Sequence, residues 1–166
     1  MESYPLESLL SVRHFREEGA KRTVRYAELA VREAEAFVQA CREELETFRI
    51  WRHEEEERRY DAIMNKVMDM PKLDAFKAGL AQLAAMEAQK EEEIRKAEKK
   101  VLDAEEALRK ARESARQALK NTAKIQTHKD IWQEEAKKDA EHREDLELEE
   151  FRPISRIGAE AEGEDA

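Results

Sequence analysis

The chain is short of everything that builds a thick globular core. Its 166 residues include one cysteine, three prolines, four glycines and only 6% aromatic side chains. A single cysteine excludes an intrachain disulfide framework and suits a reducing compartment. Cys41 falls on an apolar seam, where it reads as a small packing residue. No apolar run approaches the roughly 20 residues of a membrane span, and the N-terminus lacks a signal-peptide core. The expectation is a cytoplasmic protein without direct membrane insertion. The net charge of −9 disfavours a nucleic-acid partner. The basic residues alternate with acidic ones, as i,i+4 pairs on a wet helix do, and form no phosphate-binding stripe.

What the chain does have is charge, at 43% of residues, and a sustained heptad repeat. Leu73, Phe76, Leu80, Leu83, Ile94, Ala97, Val101, Ala104, Leu108, Ala111, Ala115, Ala118, Ile125, Trp132 and Ala136 keep a 3-4 spacing. Glu87, Lys90, Thr122 and Lys129 are its polar interruptions. An earlier run comprises Leu6, Leu10, Ala20, Val24, Ala27, Val31, Ala34, Val38, Cys41, Leu45 and Phe48. Such spacing keeps one narrow apolar stripe on a partner helix. It also separates the chain from a disordered one of the same charge content.

The prolines punctuate these runs. Pro5 lies where a first helical turn tolerates it, Pro71 lies between the runs, and Pro153 follows the second. Asp69 or Met70 is placed near the N-cap of the second helix. The predicted fold is all-α: an antiparallel two-helix coiled-coil hairpin, a long helical rod, with a disordered C-terminal tail. One domain covers 1–152, with helix one at 5–69, a turn near Pro71 and helix two at 71–151, about 98 and about 120 Å long. Residues 153–166, rich in acids and glycine, are expected to form a flexible acidic tail.

A register follows from matching large side chains to small ones. It sets Leu10 against Trp132, Val24 against Ala118, Val38 against Ala104, and Phe48 against Ile94. Near the turn, Tyr60 meets Leu83, Ile63 meets Leu80, and Val67 meets Phe76 after a one-residue slip. A polar neck, Arg52–Arg59 facing Glu87–Glu93, joins the two registers and is expected to be weakly packed, setting a short tip apart from a long shaft. Helix two overruns the start of helix one from about residue 137, leaving a highly charged single helix.

No catalytic constellation is present. The histidines, His14, His53, His128 and His142, lack the paired spacing of a zinc protease, and the His53–Glu57 tract reads as a solvated face. There is no phosphate-cradling glycine loop and no nucleophile with a base. The expectation is no enzyme, no metal and no cofactor. Apolar residues off the seam are more informative. Trp51 beside the neck reads as a contact anchor, while Met64, Met68 and Met86 either pack across the groove or serve a partner. Tyr4, Leu9, Phe15 and Phe151 form a second cluster that could simply staple the helix ends.

The segment Phe48–Asp61, with its Trp-Arg, Glu-Glu, Arg and Tyr-Asp pattern, resembles the neck of the YscO family. The opening Tyr4–Leu10 and the stretch His128–Ala136 are similar to chlamydial members, and the likeness runs to about Phe151. These are stalk proteins of type III secretion injectisomes (SctO), similar in architecture to flagellar FliJ. The resemblance implies the central stalk of an export ATPase, coupling the ATPase hexamer to the cytoplasmic domain of the export gate and promoting its assembly or activity. The place implied is the cytoplasmic base of the secretion apparatus. Some members also bind secretion chaperones. On that basis Trp51, Tyr60, Met64, Met68 and Phe76 are expected to meet the gate, and Leu9, Phe15, His128, Trp132 and Phe151 the ATPase. Two other readings are an escort for chaperones or substrates and a generic dimerising scaffold. Size matching within the chain favours a monomer when isolated.

Overall fold

The computed structural model describes residues 2–161, with side chains as far as Arg152. Two antiparallel helices account for it: α1, Glu7–Ile63, and α2, Met70–Ala161. There is no strand among the described residues. Long stretches of Ala, Leu, Glu, Lys, Arg and Gln, with few Gly or Pro, give nearly every local segment a helical preference.

The helix ends show what stops them. Pro5 lies in a turn ahead of α1, where its missing N–H costs nothing; the Glu7 N–H donates to the Tyr4 carbonyl at 3.2 Å. α1 ends at Ile63, six residues before the expected 69. Asn65 there takes φ 62°, and the Lys66 N–H returns to the Ile63 carbonyl at 3.2 Å. Asparagine is among the few side chains that tolerate this left-handed position after a helix. Asp69 then caps α2, its Oδ1 accepting from the Lys72 N–H at 3.1 Å, and Pro71 sits in the first turn. Pro153 does not end α2, whose backbone stays helical to Ala161. A proline deletes one intrahelical bond, and the bonds on either side carry the helix past it. The rest of the expected flexible tail, 162–166, lies outside the described residues.

The chain divides into two compact units, Met1–Gly19 with Ala115–Ala166, and Ala20–Ser114. The division does not fall at the polar neck, where the sequence suggests one. Both units are thin. In the first, Tyr4, Leu10 and Thr122 are buried, Leu10 to 3% exposure. The Thr122 hydroxyl is positioned to donate to the Ala118 carbonyl at 3.0 Å or the Arg13 carbonyl at 3.3 Å, so this polar seam position is satisfied. In the second, Val38, Leu45, Phe48, Leu83, Ala97 and Ala111 form the seam.

Contacts within each unit correct the register. Trp132, matched by size to Leu10, packs on Tyr4 at 5.5 Å between ring centroids. Tyr60 meets Phe76 edge-on at 5.2 Å, one heptad from the expected Leu83. Phe48, matched by size to Ile94, lies beneath the ammonium of Lys90, one turn earlier, at 5.4 Å. Val67, expected to face Phe76, is wholly exposed in the turn at 103%. The cause is the turn itself. A reversal centred on Pro71 leaves no residues to cross between the helices, whereas the chain uses 64–69 for that purpose. Moving the reversal toward the N-terminus shifts these partners by four to seven residues.

Candidate functional site

In the unit Ala20–Ser114, the neck is a lattice of charge-assisted hydrogen bonds. Arg49 donates to Glu46 at 3.0 Å, Glu87 at 2.7 Å and Glu91 at 3.0 Å. Arg52 donates to Glu56 at 2.8 Å and to the second oxygen of Glu87. Arg58 and Arg59 share Glu55 at 2.7 and 3.1 Å. Glu87 takes both α1 guanidinium groups, so it is the tie across the neck. The Arg49 hydrogen bond, aided by Arg52 and opposed by burial, holds its carboxyl below the usual carboxylate range. The expectation of a polar neck holds, and the cross-helix bonds tie it together.

Trp51 stacks on Phe48 at 5.5 Å with 40% of its surface open. Farther along, Tyr60 is half exposed on a half-buried Phe76. The turn carries Met64, Val67 and Met70 exposed and Met68 half-buried. The structure thus brings Tyr60 and Phe76 into contact and leaves Met64 open; Trp51 belongs to the neck. Val67 and Met70 are surface residues that the sequence reading gave to the seam or the cap.

In the unit of Met1–Gly19 with Ala115–Ala166, an aromatic clasp fixes the N-terminal turn to α2. The Tyr4 hydroxyl lies 2.6 Å from His128 Nδ1, its ring packs on Trp132, and Lys129 reaches Glu7 at 2.8 Å. His128 and Trp132 therefore have a structural duty that spacing alone did not reveal. Leu9 is partly open, and Phe15 and Phe151 are more than 70% exposed. From Gln133 to Phe151 every side chain of α2 is exposed. This stretch holds Glu134, Glu135, Asp139, Glu141, Glu144, Asp145, Glu147, Glu149 and Glu150 against Lys137, Lys138 and Arg143. Leu146, Leu148 and Phe151 punctuate the acids.

Sequence reasoning overlooked one set: Tyr26, Leu29 and Phe37, exposed on α1 of the larger unit. Their signal was a second apolar stripe, Tyr26, Ala30, Phe37 and Ala40, running beside the seam at helical spacing. Among the described residues, no three His, Cys, Asp or Glu side chains are grouped to hold a metal, and no helix is long and apolar enough to cross a membrane.

Comparison with known proteins matches this architecture. The model of the type III secretion protein YscO family matches residues 6–153. The solved structure of type III secretion protein YscO from Vibrio parahaemolyticus is similar at 25% identity and a TM-score of 0.82, covering 89% of this chain and 92% of that one. That of the YscO homologue CT670 from Chlamydia trachomatis is similar in fold at 21% identity and a TM-score of 0.76, covering 97% of this chain and 99% of that one. No curated protein sequence matches the chain. A match over nearly the whole of both helices, on a hairpin with the same fold, places the chain in the YscO family of type III secretion proteins.

Proposed function

We propose that the chain is the central stalk of a type III secretion export ATPase, coupling the ATPase hexamer to the export gate at the cytoplasmic base of the apparatus. It does so without chemistry of its own and without a cofactor. The observation that carries this reading is the exposed acidic helix from Gln133 to Phe151. A single helix about 28 Å long, bare of packing partners on all faces, suits insertion into a ring of subunits. Binding only the assembled ring would promote assembly by linkage. The turn, with Met64, Val67 and Met70 exposed, offers the separate apolar surface that a gate contact requires.

The test is to titrate the full chain into the export ATPase of the same genome, following hydrolysis and ring mass by light scattering. The wild-type chain should stimulate both. Trp51→Ala should preserve stimulation, because the neck belongs to the gate side in this reading. Leu148→Ala with Phe151→Ala should reduce it at least about tenfold, as loss of two anchors does. A folded chain that neither binds nor stimulates the ATPase would sink the stalk in favour of an escort for chaperones or substrates. That second reading draws on the exposed apolar stripe around Tyr26 and Phe37.

A further inference from the structure

The first turns of α1 are held to α2 by few contacts, and those contacts cover a tryptophan. Residues 2–6 precede the helix, so Tyr4 is held mainly by its side chain. Its ring, 6% exposed, lies on Trp132 and His128. Leu10 is the other buried apolar side chain of this stretch, whereas Leu6, Leu9, Val12 and Phe15 are exposed. The ion pair of Glu7 with Lys129 is half open to water and adds little. Continuing the 3-4 spacing from Leu10, the next seam positions are Arg13 and Glu17, before Ala20 resumes the apolar run. Arg13 Nε is buried without a hydrogen-bond partner, and Glu17 is 7% exposed. A polar layer with an unmet donor is weaker than the apolar layers of Val38, Leu45 and Phe48 in the other unit. It is a natural boundary for local opening.

We propose that residues 2–17 form a strap that opens from α2 as one piece and uncovers Trp132 for the partner that takes the bare helix from Gln133 to Phe151. Trp132 ends the packed part of α2. Opening the strap as far as Thr122 lengthens the bare helix by about 11 residues, or about 16 Å. It also frees a large aromatic side chain of the kind that anchors interfaces. Closed, the strap occupies the face that the partner needs, so the chain holds back its own binding. The inference rests on the stalk reading only for the identity of that partner.

Hydrogen exchange of the full chain should give the amides of 10–17 one common protection, at least about tenfold below that of 38–48. Simple fraying would instead give protection that climbs steadily along 10–17, and that gradient would overturn the strap. Trp132 emission is read in a Trp51→Phe background. Tyr4→Ala should lower protection at 10–17 about tenfold, shift the emission to the red and raise quenching by acrylamide. Protection at 38–48 should stay unchanged and serves as the folding control. Arg13→Met removes the unmet donor at similar length, so it should raise protection at 10–17 and reduce quenching. Quenching that moves in neither variant would also overturn the proposal. Against the export ATPase of the same genome, Tyr4→Ala should bind about tenfold tighter and Arg13→Met more weakly. Adding Trp132→Ala to Tyr4→Ala should cancel the gain. Binding by Tyr4→Ala that is no tighter than wild type would refute the covering role. An ATPase that binds neither wild type nor any variant, while exchange and quenching move as expected, would sink the stalk and support the opening strap.

Discussion

Two glycines show how finely a thin seam senses its side chains. Both Gly19 and Gly79 lie inside helices with ordinary negative φ, so neither is needed for its backbone freedom. A β-carbon at Gly19 meets nothing within 4 Å, whereas one at Gly79 comes within 3.0 Å of Arg59 Nη1. Gly19→Ala should therefore stabilise the chain by about 0.5–1 kcal/mol through helix propensity alone. Gly79→Ala should gain less, because the Arg59 guanidinium must move and its bond to Glu55 is disturbed. Thermal melts of the two variants check the order; a larger rise for Gly79→Ala would show that Arg59 shifts freely. The same scale explains His128 and Trp132. Their sequence signal was an aromatic pair in a helix. What was hidden is that Tyr4, more than a hundred residues away, folds back onto them.

At the scale of elements, helix identity was legible and the turn was hidden. The seam of α2 was legible from Leu73 to Trp132, since a 3-4 repeat leaves little else for it to be, while Ala136, read as its last member, is exposed. The end of α1 was not. Only tertiary need decides that 64–69 reverse the chain, and Asn65 is a weak stop signal among good helix formers. The neck was legible as polar but not as bonded, because long arginines choose partners only once the register is set. Its pH response follows from Glu87. Its folded carboxyl titrates below its unfolded counterpart, whose value is about 4.3. The stabilisation is thus complete above that value and is lost as acid takes pH down through the lower, folded one. Hydrogen-exchange protection at 49–56 and 84–91, taken relative to the intrinsic rate at each pH, should fall at acid pH in the wild type. Glu87→Gln should already exchange faster at neutral pH and respond less to acid. Identical acid profiles for the two proteins would remove Glu87 as the tie.

For the molecule as a whole, the lesson of the register is that size matching repeats with the heptad. Shifted by one heptad, the sequence sets Val38 against Ala97, Ala34 against Val101, and Val31 against Ala104, again large against small. The expected alignment satisfied the same criterion one heptad away, so the pattern fixed the phase of the seam and not its offset. The turn supplies the offset, because a short loop can join only helices that start close together. That argument also bears on assembly. An intermolecular pairing of two such chains would be free of the loop and could adopt any heptad offset with similar packing. The intrachain hairpin wins because closing six residues costs little entropy compared with bringing two molecules together. The isolated chain should accordingly scatter light as a monomer of 19.4 kDa across a hundredfold range of concentration. Lengthening the 64–69 turn with about ten glycines and serines should weaken the hairpin only slightly, since loop entropy grows slowly with length. It should also let heptad-shifted pairings compete, seen as exchange broadening of the Tyr60 and Phe76 ring signals. A lengthened chain that keeps sharp signals and one alignment would show that the charged layers of the neck, rather than the turn, set the offset.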